Sequence, residues 1–171
     1  GAQLLIVGLA PGRGGANRTG RPFTGDYAGD LLYQTIDKFG FSEGSYGADR
    51  HDGLRLINCR ITNAVRCLPP ENKPVGAEIK ACGGYLADEI GAMEDLRLLL
   101  ALGVVAHGAI LTALGLRKSA VKFAHGARHQ LASGLVLADS YHCSRYNTNT
   151  RRLTEAMFEA VFEVVRERLS G

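Results

Sequence analysis

The sequence predicts an α/β fold, a three-layer α/β/α sandwich with a central four-stranded parallel sheet. Two observations support this prediction. Four short apolar runs are separated by segments in which apolar residues recur at the spacing of an amphipathic helix. Polar and glycine residues cluster directly after each apolar run. Because parallel neighbours need a crossover, usually a helix, this alternation indicates a parallel sheet with helices on both faces.

The predicted strands and helices follow one another along the chain. The strands are expected at 4–9, 54–61, 98–102 and 135–138. A helix with apolar residues from Leu31 to Phe39 should end at Gly40, since glycine tolerates the left-handed cap conformation. A second helix is expected over 79–90, and a short third one over 110–114. The last helix, 153–165, has the clearest apolar stripe.

Length and composition indicate one domain over residues 1–171. With 171 residues and 46% hydrophobic content, the chain can build a single buried core. The apolar run 4–10 is about a third of what spans a bilayer, and it has no basic leader or cleavage site. Such a domain needs no disulfide staples, so its four cysteines favour a reducing, cytoplasmic setting, with metal or cluster ligation left open.

The distribution of charge is more informative than the net charge of +3, which suits any ordinary soluble protein. Asp and Glu are missing from 1–25, 96–138 and 140–154. The basic residues in those three stretches are Arg13, Arg18, Arg21, Arg97, Arg117, Lys118, Lys122, Arg128, Arg145, Arg151 and Arg152. If the stretches meet, they form a positive surface suited to a phosphate backbone. An ordinary solvated face would produce the same bias.

The ends of the predicted strands locate a ligand site, because the carboxyl ends of parallel strands line one crevice. The first strand leads into a glycine-rich loop, 8–15, which is either a turn or a place where backbone approaches an anion. The second ends near Asn63, whose amide both donates and accepts, as the edge of a pyrimidine requires. The fourth leads into His142, an unusual place for a core histidine. Asp26 and Phe23 precede the first helix, where they could equally be a cap and a core residue.

Four strings in this order resemble the family-5 (type-b) uracil-DNA glycosylases. They are GLAPG, NRTGRPFTGD, TNAVRC followed by PP, and YHCSRYNTNT followed by RLTEAMF. The resemblance implies the uracil-DNA glycosylase-like fold and hydrolysis of deoxyuridine's N-glycosidic bond in a base flipped out of DNA, the first step of base excision repair. It also implies that other deaminated bases, such as hypoxanthine and xanthine, could be substrates. A monomer that binds DNA is expected.

The resemblance assigns roles to individual residues. Phe23 is expected against the uracil ring, Asn63 on its edge, and His142 near O2, while Asp26 orients water or stabilises the sugar cation, two roles the sequence leaves open. The substrate-binding residues are Gly8, Ala10, Pro11, Gly12, Phe23, Asn63 and His142. The DNA-binding residues are Arg13, Lys122, His125, Ser144, Arg145, Tyr146 and Asn147. His51, His107 and His129 are interpreted as structural or surface residues.

The chain departs from the family pattern at three points. Cys143 stands where many relatives have proline, and Arg151 where glycine is expected. The family carries a [4Fe-4S] cluster on four cysteines, of which Cys67 and Cys82 match, so the other two ligands are expected in an upstream segment. The chemistry itself needs no cofactor.

Two other functions are compatible with parts of the sequence. A DNA-binding protein of the same fold could recognise uracil or damaged DNA without excising it. A domain acting on free nucleotides would explain the glycine-rich loop, although it would not explain the stretches without acids. Asp26, Asn63 and His142 are all present, which favours the enzyme.

Overall fold

Five strands form one central sheet in the computed structural model, which describes residues 1–9, 21–65 and 76–171 and, for 76–83, the backbone alone. The strands of the described residues are β1 (Leu4–Gly8), β2 (Ser42–Glu43), β3 (Arg55–Leu56), β4 (Cys59–Asn63), β5 (Leu98–Leu102), β6 (Arg128–Gln130) and β7 (Val136–Ser140). The sheet order is β4-β1-β5-β7-β6. Its first four strands are parallel, and β6 runs antiparallel to β7.

Helices cover both faces of this sheet. They are α1 (Tyr27–Lys38), α2 (Gly76–Ala92), α3 (Val104–Ala113), α4 (Arg145–Asn149) and α5 (Glu155–Ser170). Because side chains alternate along a strand, β1 contributes to two cores. Leu4 and Ile6 pack with residues of α1 and α5, whereas Leu5 and Val7 pack with residues of α2 and α3. The predicted α/β fold with a parallel sheet between helices is confirmed for four strands of the sheet.

The expectation of four strands was wrong by one. The fifth strand, β6, has the sequence Arg128-His129-Gln130 and forms one edge of the sheet. It is held by its backbone pairing with β7 and contains no apolar residue. A hydrophobic pattern therefore could not reveal it, since polar edge strands carry no such pattern.

The predicted strand 54–61 is in fact two strands. Asn58 has a φ of 59°, a left-handed conformation that interrupts extended backbone. Before it, β3 pairs with β2 in a separate two-stranded ribbon; after it, β4 joins the central sheet beside β1. Because of this interruption, the strand that joins the sheet begins and ends later in the chain than predicted: β4 ends at Asn63 instead of at residue 61.

No helix among the described residues is long and apolar enough to cross a membrane.

The backbone conformation at Arg151 accounts for the glycine that the family pattern has at this position. Its φ of 62° lies in the left-handed region, where a side chain is strained by about 1–2 kcal/mol. We expect Arg151→Gly to raise the free energy of unfolding by about 0.5–1 kcal/mol, because the released strain exceeds the extra chain entropy of glycine. Urea denaturation measures this. Arg152→Gly, at a neighbouring exposed residue outside the positive-φ set, should lower stability instead. A loss of stability in both variants would contradict the prediction.

Candidate functional site

Gly8, Phe23 and Asn63 converge at the carboxyl end of β1 and β4. Gly8 is the last residue of β1 and lies opposite Asn63 in the parallel register. A Cβ on Gly8 would lie 2.7 Å from Asn63 Oδ1 and would collide with the Phe23 ring. Only glycine therefore allows the ring and the amide to meet at this strand end.

Asn63 has an unused acceptor. Its Oδ1 is buried and has no hydrogen-bond partner among the described residues. Leaving a buried acceptor unpaired costs about 1–3 kcal/mol, so such atoms are rare and call for an explanation. A ligand that donates a hydrogen bond at this position would satisfy Oδ1.

Phe23 is held in a conformation that it would not adopt alone. It is buried and has a φ of 56°, in the left-handed region. The segment before it is anchored by Arg21, whose Nη1 and Nη2 donate to the two carboxylate oxygens of Asp52 at 3.0 and 2.8 Å. The Tyr33 hydroxyl donates to Pro22 O at 2.7 Å. Backbone strain of this kind persists only where neighbouring contacts impose it.

The same anchor shows that Arg21 is not a free surface cation. Its guanidinium also lies over the stacked rings of Tyr33 and Tyr46, at 5.2 and 5.7 Å from the centroids. The pKa of Asp52 is held well below its usual range, chiefly by its hydrogen bond with Arg21. Arg21 therefore stabilises the site's framework.

Asp26 caps α1, as the simpler interpretation of the sequence has it. Its Oδ1 accepts from Gly29 N at 2.8 Å, and its side chain is partly exposed. The cap uses one carboxylate oxygen and orients the group at the helix start. The position is compatible with a second role, because one residue can cap a helix and still present a charge to the site.

His142 lies beside Phe23, two residues beyond the end of β7. The two rings are tilted, with centroids 5.9 Å apart. Burial lowers the pKa of His142 to about 4. The imidazole is therefore neutral near pH 7 and offers one N–H donor and one acceptor nitrogen.

A cleft of about 770 Å³, lined in part by His142, opens at the carboxyl ends of β5 and β7. Tyr141 forms part of its wall. The ring of His125 stacks on Tyr141 at 4.8 Å, and the Arg152 guanidinium lies 4.9 Å from the same ring. Tyr141 N donates to His125 Nδ1 at 3.0 Å, which leaves Nε2 of a neutral His125 as a donor. Arg152 was missed by sequence reasoning as a site residue.

The loop after His142 forms a short helix that the sequence did not predict. Ser144 caps α4, accepting from Asn147 N at 3.2 Å, and Asn147 Nδ2 donates to His142 O at 2.9 Å. These two side chains therefore support the loop. Arg145 lies over the Tyr27 ring at 5.2 Å, and Tyr146 is 72% exposed. Tyr146 and Arg145 are thus the groups that this loop presents to a partner.

Among the remaining predicted residues, some lie within the described ranges and others do not. Lys122 is exposed on the loop that leads to His125. Ala10, Pro11, Gly12, Arg13 and Cys67 lie outside the described residues, and the side chain of Cys82, in α2, is not described. Arg97 was one of the basic residues expected on the positive surface. It precedes β5 and donates to Gly171 O at 3.3 Å, so it lies at the amino ends of the parallel strands, opposite the site.

Two of the histidines interpreted as structural form a cluster with Asp139, which sequence reasoning missed. His107 and His129 each bind one oxygen of this buried carboxylate, at 2.7 and 2.8 Å. Among the described residues, this is the group of side chains whose ligand atoms lie close enough to hold a metal ion. The sequence contains one signal for it: Asp139 is the only acid between residues 96 and 154.

Comparison with known proteins agrees with this geometry. Residues 1–166 match the model of the "Uracil DNA glycosylase superfamily". Over 99% of the chain and 77% of the relative's length, the sequence is 47% identical to the "Type-5 uracil-DNA glycosylase" of Thermus thermophilus. Proteins with the same description from Pyrobaculum aerophilum and Mycobacterium bovis are each 40% identical over 96% of the chain, which spans 70% and 62% of their lengths.

His142 provides a test of the site's electrostatics. We expect its ring resonances to titrate near pH 4 in the folded protein, instead of near the ordinary value of 6.5, because burial disfavours the charged form. Since the unfolded chain then binds the proton more readily, stability should fall as pH drops from about 6.5 toward about 4. NMR titration, assigned with His142→Gln, measures the midpoint. A midpoint near 6.5 would show that the His142 ring is exposed to water in the folded protein.

Proposed function

Because the chain belongs to the uracil DNA glycosylase superfamily, we propose that it removes uracil from DNA by hydrolysing the N-glycosidic bond of deoxyuridine and thereby starts base excision repair. The observation that carries this proposal is that Phe23 lies beside both Asn63 and His142 at the carboxyl ends of the strands. Asn63 Oδ1 is buried there and has no partner among the described residues. The single domain expected over residues 1–171 stays a prediction.

The geometry suits a uracil base. The ring would stack on Phe23, which is immobilised by its buried, anchored backbone. Asn63 Oδ1 would accept from N3–H, and its Nδ2 would donate to O4. Cytosine has an acceptor at N3 and an amino group at C4, so it would place acceptor against acceptor and donor against donor. Such a mismatch leaves buried groups unpaired, which discriminates strongly between bases.

His142 would stabilise the leaving base. As the bond from C1′ to N1 breaks, its electron pair moves onto the uracil ring and O2 gains negative charge. A neutral imidazole N–H directed at O2 stabilises charge that is present chiefly in the transition state, which is what accelerates a reaction. The low pKa of His142 keeps the ring a neutral donor, so that it binds O2 without first requiring a proton.

Asp26 is the proposed catalytic carboxylate. The sugar becomes an oxocarbenium ion, and water adds its oxygen to C1′ as it loses a proton. A carboxylate near C1′ can stabilise the cation or accept that proton. With Oδ1 committed to the helix cap, Oδ2 is the oxygen available for this role.

Uracil-containing DNA is the proposed partner, bound through the loops around the site. Tyr146, strongly exposed after His142, suits a wedge that fills the gap left by a flipped base. Arg145, Arg13 and Lys122 would bind phosphates, and His125 would contact DNA from the cleft wall. Arg152 joins them, since Tyr141 orients its guanidinium at the cleft. Ser144 and Asn147 would act mainly by shaping α4.

An oligonucleotide with one uracil, treated with enzyme and then with alkali, tests the activity directly. We expect Asn63→Ala to lower kcat/KM about 100-fold. It should not lower thermal stability, because Oδ1 has no partner to lose in the free protein.

Asp26→Ala and Asp26→Asn should both lower kcat by about 100-fold in the same assay, although only Asn retains the cap. Binding without cleavage by the wild type would identify a non-catalytic reader. Full activity in Asp26→Asn would contradict the role of the charge.

We propose that Cys67 and Cys82 are two of the four thiolates of a structural [4Fe-4S] cluster, which would pin the segment after Asn63 and take no part in hydrolysis. Cys59 and Cys143 are unsuited to complete it. Both are buried, their Sγ atoms face the carbonyls of Phe41 and Ala28, and burial raises the pKa of each thiol to about 12.

An iron assay on the longest natural form of the protein tests the cluster. We expect about four iron atoms per chain, lost in Cys67→Ser and Cys82→Ser and retained in the control Cys143→Ser. Intact uracil excision by a protein without iron would show that Cys67 and Cys82 are not ligands of a required cluster.

A further inference from the structure

Asp139 is a fully buried carboxylate within a basic region of the chain. It is the only acid between residues 96 and 154, and its exposure is 0%. His107 Nδ1 lies 2.7 Å from its Oδ1, and His129 Nε2 lies 2.8 Å from its Oδ2. We call these three residues the Asp139 cluster. A buried carboxylate is tolerated only when paired and hydrogen-bonded, and the two histidines supply both conditions.

His107 connects the cluster to a neighbouring backbone carbonyl. The second ring nitrogen of His107, Nε2, lies 3.0 Å from Val121 O, a carbonyl that can only accept. Both ring nitrogens of His107 thus lie within hydrogen-bond distance of an oxygen, one on Asp139 and one on Val121. His107 therefore links the buried carboxylate to the first residue of the loop 121–127.

The cluster also holds the loop 121–127, which has no helix or strand of its own. Asp139 accepts at Oδ2 from Ala124 N at 3.4 Å, and its backbone pairs with Gly126 N and Ala127 O at 2.9 and 3.0 Å. The Phe123 ring meets the His107 ring edge-on at 5.6 Å. Irregular backbone depends on such contacts for its shape, because no ladder of its own supports it.

We propose that the Asp139 cluster is a positioning device, which holds the loop 121–127 in the shape that binds DNA beside the flipped base. Phe123, Ala124 and His125 of this loop line the cleft next to His142. Asp139 acts on DNA affinity through them and touches no substrate. This inference rests on the proposed function, since it assigns the loop a role in binding that substrate.

A double-mutant cycle tests the proposal. Asp139→Asn keeps the shape of the side chain and removes its charge, so we expect KM for uracil-containing DNA to rise about tenfold while kcat changes by less than about threefold. His125→Ala should raise KM similarly, by removing the side chain that the loop presents. The double variant should be no worse than either single variant, because a displaced loop no longer brings His125 to the DNA. Additive effects, or an unchanged KM for Asp139→Asn, overturn the proposal.

Two further variants separate positioning from general stability. His129→Gln keeps an amide donor for Asp139 Oδ2 and should retain the wild-type KM, whereas His129→Ala should raise it; equal effects overturn the proposal, even if Asp139→Asn fails to fold. Val165→Ala, in the core on the opposite face of the sheet, is the control for lost stability and should leave KM unchanged.

Two measurements complete the experiment. One transition-metal ion per chain, bound by the purified protein and lost in Asp139→Asn, would overturn the proposal, since the three side chains would then be metal ligands and not a hydrogen-bonded support for the loop. If the wild type excises no uracil, the proposed function is wrong. Fluorescence anisotropy with duplex DNA then applies the same cycle to affinity, where the same non-additivity supports the positioning role and additivity overturns it.

Discussion

The burial of both faces of the parallel sheet is the constraint on which the rest of the molecule depends. Helices cover each face, so most strand side chains are buried, and the polar groups of the site lie where the strands end. At the carboxyl edge, β1 contributes Gly8, β4 contributes Asn63, and β7 leads into His142. Groups distant in sequence therefore meet without any special connection between them.

The site contains features that lower stability and that the framework has to offset. Phe23 is strained, and Asn63 has an unpaired buried oxygen. Around them, the Arg21–Asp52 pair, the stacked tyrosines and the α1 cap hold the backbone rigidly. Such preorganisation favours catalysis, because donors already in place need no rearrangement when charge develops in the transition state.

The charge distribution has a more specific meaning than the sequence alone indicates. Two basic residues of the stretches without acids do not face the site. Arg21 pairs with Asp52, and Arg97 lies at the amino ends of the parallel strands. Arg145 and Arg152 lie over aromatic rings near the site, where stacking restricts their motion and retains their charge. Arg152 lines the cleft, and Arg145 follows His142 in the chain, so two of these cations are held near the site.

The sequence by itself determined the fold class and the alternation of parallel strands with helices, because hydrophobic periodicity is a local signal. It also predicted which residues meet where the strands end. It left open whether Asp26 was a cap or a catalytic group, and the structure shows the cap, which uses one carboxylate oxygen and is compatible with the second role. Only the tertiary structure revealed β6, the interruption at Asn58, and the pairing of Asp139 with His107 and His129. These features depend on partners 6 to 32 residues away or on a single backbone angle, and neither leaves a periodic pattern in the chain.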